Sequence, residues 1–544
     1  MLSDHKRLST GTSSFERLIY ENQVYVDKTE LIYSLLETGQ KFFLTRPRRF
    51  GKTLLLSTFD SLFRNGTTYF KGLAIEKLWK EEPAGTVLNL DFSLIKGFKS
   101  VAEFTELFDD YLCDRLFDSK LVAKRPDSGT GRRTFSSWLS SQPIASVVIL
   151  IDEYDAPLTE SLDRPALFQD VRAILSRFYA GLKNADRALR FLFITGVTKF
   201  TKASIFSELN NLRDISLSPK YGTLLGYTRE ELLTYFRPWL EKAALEYGIG
   251  LDRLLEELRQ HYDGYCFDKA ASTHVYSPWS VLNFLSLPDD GFENYWLESG
   301  GKSSVLMKYF RTHALRSPAS LMDEKCVRME DLSSASDLEN LNDLALLCQA
   351  GYLTIKRVDY TSVFLGYPNL EVKRSMGSLY ANALLGNNTF STAGADHIDR
   401  QLATEKPEGI VHLFNRLFAS TDYQFFHEIH ERDVQAILLA YLAGSGLEPE
   451  VERHGSRGRS DIEVVSGDRA WVFEIKVQRK TESAEKKTRG SLVADRLSRL
   501  WRRPQSRPVR DNPHGTRLFR GVSENREVGA CASDAAFQRN VKRI

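Results

Sequence analysis

Three stretches early in the chain share one pattern, a run of aliphatic and aromatic residues of strand length that ends in small polar or charged ones. They are Lys41-Phe42-Phe43-Leu44-Thr45, Val147-Val148-Ile149-Leu150-Ile151 and Arg190-Phe191-Leu192-Phe193-Ile194. Apolar runs without alternation suit strands covered on both faces, as in a parallel sheet flanked by helices. The segments between them read as helical, which predicts an α/β fold. Between Thr228 and Asp263 the apolar residues Leu232, Leu233, Phe236, Leu240 and Ala244, then Leu254, Leu255 and Leu258, recur at helical spacing and predict a helical lid on the core. A helix over 343–349 followed by strand-like runs at 351–355 and 363–369 suggests a small winged-helix-like unit. Near the end, a helix from about Arg432 to Ala443 precedes two strands, one carrying Asp461 and the other running to Lys476, joined by the turn Ser466-Gly467-Asp468-Arg469 into a hairpin. The partition expected is 10–220 for the α/β domain, 221–375 for the lid and winged-helix-like region, and 376–544 for a C-terminal α/β domain with an irregular basic tail.

A length of 544 residues exceeds one hydrophobic core and agrees with two to four domains. The net charge of only +2 excludes a chain that is a polyelectrolyte binder as a whole, so a nucleic-acid surface would be a local patch. Five cysteines (Cys113, Cys266, Cys326, Cys348, Cys531) lie scattered, without CxxC pairs or histidines at ligand spacing. That argues against a zinc site or a disulfide framework and suits a reducing compartment. Residues 1–6 precede no apolar signal core, and no apolar run approaches a membrane span. The expectation is a cytoplasmic protein with no membrane partner.

Chemistry enters at the end of the first run. Arg46-Pro47-Arg48-Arg49-Phe50-Gly51-Lys52-Thr53 links a strand to a helix and supplies Gly51, Lys52 and Thr53, the parts of a phosphate-binding loop. The lysine suits the β/γ-phosphates and the threonine hydroxyl suits Mg²⁺. The usual G-x-x-x-x-G-K-[ST] pattern would place a glycine where this chain has Arg46, a residue that does not easily take positive φ. The second run ends in Asp152 and Glu153, a Walker B arrangement in which Asp152 holds Mg²⁺ and Glu153 polarises the attacking water. A core strand ending in a solvated Asp-Glu turn would look the same. Thr195 and Thr198, ending the third run, stand where a sensor of the γ-phosphate would, or are ordinary strand-end threonines. Arg46, Arg48 and Arg49 either contact phosphates or form a basic loop held by Asp152, Glu153 or Asp155.

These residues carry a family resemblance. Phe15, the segment 24–32 (Val-Tyr-Val-Asp-Lys-Thr-Glu-Leu-Ile), the loop 46–53, Asp152-Glu153-Tyr154-Asp155-Ala156-Pro157-Leu158 and the segment 204–212 resemble the bacterial AAA-ATPase-like family, whose phosphate loop is itself written R-P-R-R-F-G-K-[ST]. Segments 261–267 and 275–282 match it too; their aromatic residues would either stack on bases or pack the core. The resemblance covers roughly the first half of the chain. It implies a P-loop NTPase parallel sheet and a nucleotide-binding core of the kind found in signalling ATPases, with ATP and Mg²⁺ as cofactors, and leaves open whether this chain turns ATP over.

A second chemistry lies in the C-terminal hairpin. Asp461 on one strand with Glu474 and Lys476 two apart on the next could share Mg²⁺ while the lysine orients a water. A solvated hairpin of alternating charge would read alike. The pattern resembles the PD-(D/E)XK nuclease superfamily, which implies DNA or RNA as substrate; Glu431 stands where that superfamily often has another acid, and Glu452 is a further candidate. After Lys476 the chain departs from the pattern: 480–487 and 501–508 are basic and poor in apolar periodicity, and only 518–523 partly matches a last strand. Ser299-Gly300-Gly301-Lys302-Ser303 also ends in Gly-Lys-Ser but follows Trp296 and no apolar strand, and is read as a loop.

Together these readings describe an ATP-binding and ATP-hydrolysing protein coupled to a metal-dependent nuclease-like domain that acts on nucleic acid. Its catalytic residues would be Glu153, Asp461, Glu474 and Lys476. Arg48, Arg49, Gly51, Lys52, Thr53, Asp152 and Thr195 would bind nucleotide, with Thr53, Asp152, Asp461 and Glu474 as metal ligands. The alternative is a nucleotide-gated binding or scaffold protein with an inactive nuclease-like domain. Oligomerisation stays open.

Overall fold

A computed structural model describes residues 6–199, 206, 209, 211–296, 324–333, 342–376, 398–420, 431–447, 449–451, 454–455, 458–459, 461–467, 469–473, 475 and 540–543. The described residues through Val372 form one compact unit and those from Lys373 onward a second.

The first unit is built on the predicted strands. β1 (Lys41–Thr45), β2 (Thr86–Asp91), β3 (Val147–Asp152), β4 (Leu189–Gly196) and the short β5 (Arg213–Asp214) form a five-stranded sheet in the order β2-β3-β4-β1-β5. All neighbours are parallel. β1 and β3 are buried at every position, as their unbroken apolar runs require. In register, Thr45 lies beside Gly196 and Asp91 beside Asp152, so the carboxyl ends of these strands share one edge. That edge is where open α/β sheets bind ligands.

Helices cover both faces: α1 (Phe15–Tyr20), α2 (Thr29–Thr38), α3 (Lys52–Asn65), α4 (Val101–Asp118), α5 (Gly131–Ser140) and α6 (Pro165–Asn184). α3 leaves the phosphate loop and lays Phe59 and Phe63 on Phe191 of β4, with ring centroids 5.2 Å apart in both pairs. Phe59 also meets Phe193 at 5.0 Å. This cluster of tilted rings fixes the helix whose first turn carries Lys52 and Thr53.

The expected lid is present as α7 (Arg229–Tyr235), α8 (Arg237–Glu246), α9 (Leu251–Tyr262) and α10 (Pro278–Ser286). Its apolar face closes on Leu232, Phe236, Leu240, Leu254, Leu258 and Phe284, together with Val24 and Val26 from the chain before β1. Thr228 and Glu231 form a capping box at the start of α7. The helix predicted over 343–349 spans Asp343–Gln349, and β7 (Thr354–Asp359) and β8 (Ser362–Gly366) follow as an antiparallel hairpin; β6 (Lys325–Arg328) pairs on the outer side of β8. Gly351 is left-handed at φ +89°, and a Cβ there would come within 2.7 Å of Pro47, so this turn seats closely on the phosphate loop.

In the second unit, helices Ile398–Thr404, Pro407–Ser420 and Glu431–Gly444 share a core with Ile462, Val464, Trp471 and Phe473. The predicted hairpin is formed by Ile462–Ser466 and Arg469–Phe473, paired antiparallel. Its first strand opens at Ile462, so Asp461 stands just ahead of the strand rather than within it. Glu450–Val451 extends the sheet on one side and Asn540–Arg543 runs parallel to Arg469–Phe473 on the other. Glu452, Glu474, Lys476, the tail segments 480–487, 501–508 and 518–523, and the Gly-Lys-Ser stretch at 299–303 lie outside the described residues. Among the described residues no helix is long and apolar enough to cross a membrane.

Removing the Phe59 ring leaves a cavity between α3 and β4. Phe59→Ala is expected to lower unfolding stability by about 3–5 kcal/mol, read as a fall in the denaturant midpoint of the first transition.

Candidate functional site

The sequence of the loop explains its shape once its backbone angles are considered. Left-handed residues in it are Arg49 (φ 68°) and Gly51 (φ 85°), whereas Arg46 is not among them. The expected difficulty of an arginine in place of the first glycine is therefore absent: the position needs no positive φ.

Arg46 also has a different role from either of those its sequence offers. It contacts no carboxylate of the 152–155 cluster, and its guanidinium is turned under the loop. It donates to the carbonyls of Thr45 (2.9 Å), Ser216 (2.8 Å) and Tyr221 (3.2 Å) and lies 4.3 Å over the Phe267 ring. The side chain is 1% exposed. Burial pulls its pKa down to about 9, opposed by the charge of Asp214, so it remains a cation at neutral pH. A planar fork with five donors can span carbonyls from separate stretches, which a lysine cannot.

Above this support the expected nucleotide-binding groups converge. Thr53 Oγ1 donates to Asp152 Oδ2 at 2.7 Å, joining the loop to the end of β3. Lys52 is buried and folds back on its own loop, Nζ donating to the carbonyls of Arg46 (3.0 Å) and Pro47 (2.9 Å). Glu153 takes a left-handed φ of 48°, a strained geometry for a non-glycine residue, and turns into the cavity beside the loop. Burial raises the pKa of Asp152 and of Glu153; the Thr53 hydroxyl and then the Lys52 charge oppose the shift at Asp152, and Lys52 opposes it at Glu153. Burial likewise lowers Lys52, against the charges of Asp152, Glu153 and Asp155.

Of the two sensor candidates, Thr198 is committed elsewhere. Its hydroxyl donates to Asp155 Oδ2 at 2.6 Å, and Asp155 also accepts the backbone N–H groups of Val197 and Thr198. Gly196 permits this clamp, since a Cβ there would sit 2.5 Å from Asp155 Oδ1. The Thr195 hydroxyl is buried without a hydrogen-bond partner, and neither Thr195 nor Asp152 forms part of the cavity wall.

The cavity has a volume of about 720 Å³, enough for a nucleoside triphosphate. Arg48, Arg49, Gly51, Lys52, Thr53 and Glu153 are among its lining residues. Leu18, Val24, Val26, Leu225, Tyr227 and Leu282 add apolar wall, Leu225 beside Gly51. Three contributors were not singled out from sequence: the strap 9–13, the turn 224–227 and Trp279 on α10. Trp279 belongs to an aromatic segment for which base stacking and core packing were both open; its indole lies on the cavity wall, 4.3 Å beneath the Arg49 guanidinium. Lys28, from the 24–32 segment, lines the cavity too and is held by both oxygens of Glu231 at 2.5 and 2.7 Å. Only the Tyr-Val-Asp-Lys-Thr match hinted at it.

In the second unit, Asp461 Oδ2 accepts the Ile475 N–H at 2.6 Å, and Gln435 Nε2 from the preceding helix donates to the Asp461 carbonyl at 2.9 Å. Asp461 is thus brought beside the Ile475 backbone. Glu431 is the first residue of the helix Glu431–Gly444. Among the described residues no cluster of three or more His, Cys, Asp or Glu could hold a metal.

Two outcomes follow from this geometry. Arg46→Ala strips charged donors from buried carbonyls, so nucleotide-free protein is expected to lose about 3 kcal/mol in a urea titration, with Arg46→Lys recovering little of it. A phosphate-contacting role would spare the nucleotide-free protein. For Asp152, the raised folded-state pKa means its stabilising contribution is present below the unfolded pKa and lost as pH rises through the folded value. Asp152→Asn should therefore raise the unfolding midpoint of the nucleotide-free protein at pH 7, the gain closing as pH falls below about 4.

Comparison with known proteins agrees with this architecture. A family model described as "Predicted AAA-ATPase" matches residues 9–206, and one for the PD-(D/E)XK nuclease superfamily matches residues 429–522. A protein of Azotobacter chroococcum mcd 1, "Uncharacterized protein in vnfD 5'region", is 31% identical over 493 residues, spanning 88% of this chain and 91% of the relative. With a phosphate loop, a parallel sheet and a C-terminal hairpin of the matching kinds, the chain belongs to the AAA-ATPase-like family and carries a C-terminal PD-(D/E)XK nuclease-superfamily domain.

Proposed function

We propose that the first unit binds ATP with Mg²⁺ and hydrolyses it, and that its nucleotide state governs a metal-dependent nuclease-like domain acting on DNA or RNA. The observation that carries the reading is the meeting of Lys52, Thr53 and Glu153, with Asp152 behind Thr53, in the wall of one cavity large enough for a nucleoside triphosphate.

The donor set fits the cation. Thr53 Oγ1 and Asp152 Oδ2 are hard oxygens 2.7 Å apart, and Mg²⁺ is usually held by one or two protein oxygens with phosphates and waters. When bound, the ion would neutralise charge on the β- and γ-phosphates. Lys52 would exchange its two loop carbonyls for phosphate oxygens, and the Gly51 turn would present backbone N–H groups to the same anion. Glu153 would align a water and accept its proton. Its raised pKa keeps it a stronger base than an exposed carboxylate, at the cost of an activity that falls off at a higher pH on the acid side. The apolar wall of the cavity would take the base.

In the second unit Asp461, Glu474 and Lys476 would form the metal and catalytic set of the nuclease-like domain. The support is the hydrogen bond that sets Asp461 beside Ile475.

The test measures ATP hydrolysis and cleavage of single- and double-stranded DNA and RNA in the same preparation. Lys52→Ala should abolish nucleotide binding, and Glu153→Gln should keep binding while lowering kcat by about 10²–10⁴-fold. Asp461→Ala should abolish Mg²⁺-dependent cleavage. Equal cleavage by wild type and Asp461→Ala would refute the nuclease assignment. Salt-sensitive nucleic-acid binding that survives Glu474→Ala, with no cleavage under any metal, would instead establish the gripping protein.

A further inference from the structure

Three consecutive carbonyls of the phosphate loop are held from two directions. Those of Arg46 and Pro47 accept from the Lys52 ammonium, and that of Arg48 accepts the indole N–H of Trp296 at 3.1 Å. Trp296 is wholly buried, and its own backbone N–H donates at 2.8 Å to a carboxyl oxygen of Glu371, itself buried. The other carboxyl oxygen accepts the Ser280 hydroxyl at 2.8 Å. Ser280 lies on α10, whose residues Pro278, Trp279 and Leu282 line the cavity. One buried carboxyl group therefore gathers two parts of the cavity wall, the phosphate loop through Trp296 and the lid through Ser280. Such a group costs free energy unless donors meet it, so the junction is directional as well as close-packed.

Glu371 stands in the first turn of a helix over 370–376. Asn369 caps that helix: its Oδ1 accepts the Val372 N–H at 3.0 Å, while its Nδ2 donates at 2.8 Å to the carbonyl of Asp263, the C-cap of α9. Gly264, left-handed at φ +92°, allows this approach, since a Cβ there would stand 2.2 Å from the Pro368 carbonyl oxygen. The first unit ends at Val372 and the second takes up the chain at Lys373, and the helix runs through that boundary unbroken. Within the second unit Arg374 lies against Gly446, where a Cβ would come within 3.1 Å of Arg374 Cγ. Gly446 follows the helix Glu431–Gly444, whose Gln435 donates to the Asp461 carbonyl. Glu371 and Arg374 are three residues apart, one turn of the same helix.

We infer that the helix 370–376 is the coupling element through which nucleotide at the phosphate loop acts on the C-terminal unit, with Trp296 and Glu371 as its positioning residues. This rests on the nucleotide-binding reading above. The two states differ at the loop. Without ligand, Lys52 ties down the carbonyls of Arg46 and Pro47; with Lys52 drawn to phosphate, these two lose their charged donor while the Arg48 carbonyl keeps Trp296. The peptide planes from 46 to 48 then reorient about the one bond that leads to Glu371. Ligand that shifts α10 reaches the same carboxyl group through Ser280. A helix passes such a shift along one turn as a rigid body.

Hydrogen exchange of the full chain, followed peptide by peptide with and without a non-hydrolysable ATP analogue and Mg²⁺, tests the coupling. In the wild type, saturating analogue should change exchange rates within Pro407–Ser420 and Glu431–Gly444 by about fivefold or more. Trp296→Phe keeps a ring against Tyr352 and removes the indole donor to the loop. It should still bind the analogue by calorimetry and protect the phosphate-loop peptides, yet lose the response in the second unit. Glu371→Gln keeps the shape of the side chain and turns one acceptor oxygen into a donor; it should weaken the same response, and it decides the matter alone where Trp296→Phe does not fold. A purely structural role for either residue would lower stability and leave the ligand-dependent difference in place. A second-unit response of wild-type size in the folded variants would overturn the inference and leave nucleotide binding intact. No response in the second unit of a wild type that binds the analogue would overturn the inference together with nucleotide control of that unit. A wild type that binds no analogue would overturn the nucleotide reading itself.

Discussion

A guanidinium buried beneath the phosphate loop ties the end of β1 to a stretch of backbone 170 residues further along the chain. Arg46 reaches the end of β1, the segment after β5 and the turn before the lid, and all three meet at the carboxyl edge of the sheet. Burying a cation costs free energy unless nearly every donor is satisfied. Here three terminal N–H groups meet neutral carbonyls while Nε has no hydrogen-bond partner, and an aromatic face and the nearby charge of Asp214 offset the remaining cost. The arrangement substitutes for the small glycine of the common loop pattern: where a glycine lets the backbone come close, this chain uses a side chain to hold the loop from below. That leaves Gly51 and Arg49 to supply the left-handed turns that aim the N–H groups.

With the loop fixed from below, the rest of the unit fixes it from the sides. The helix Asp343–Gln349 and its hairpin meet Pro47 through Gly351, and the Gln349 carboxamide accepts the Lys199 N–H at 2.8 Å. Lys199 in turn pairs with Asp214 of β5 at 3.0 Å, and Asp214 stabilises the charge on Arg46. Phosphate loop, sheet edge and winged-helix-like region are thus linked by contacts that are buried and directional. Such a set admits few intermediate arrangements, because small displacements break several hydrogen bonds together.

Much of this was legible in the sequence and some was not, for identifiable reasons. Strands β1, β3 and β4 could be read because their burial on both faces demands unbroken apolar runs, and the loop because Gly-Lys-Thr after such a run has a narrow set of uses. The lid helices followed from their spacing. Arg46 was misread because its partners are carbonyls, which every residue has and no sequence pattern marks. The roles of residues 9–13, 224–227 and Trp279 were hidden because each joins the cavity only through tertiary folding, and a Trp on a helix looks the same whether it faces a core or a cavity. Thr198 and Thr195 were indistinguishable until the Asp155 clamp separated them. In the second unit the hairpin could be predicted from alternation and turn chemistry, yet strand pairing at Asn540–Arg543 could not, since the intervening tail gives no periodic signal.

The same electrostatics set what a bound anion would change at the site. Burial works against a charge on Asp152, on Glu153 and on Lys52. Lys52 favours the charge on both carboxylates and they favour its own, whereas Asp152 and Asp155 oppose the charge on Glu153, so the set turns on Lys52, which lies on two carbonyls of its own loop. An anion with its cation, bound at the loop, would supply opposite charges to every member at once and stabilise the folded unit in proportion to ligand excess over Kd. The strained φ of Glu153 belongs to the same account: a residue kept in a sparse backbone region by the β3 terminus has its carboxylate aimed before any ligand arrives. What the nucleotide would change, then, is less the position of the catalytic groups than the partners of Lys52. Since Lys52 rests on the carbonyls of Arg46 and Pro47, and Pro47 touches the Gly351 turn, the movement of a single ammonium is coupled directly to the element that packs behind the loop.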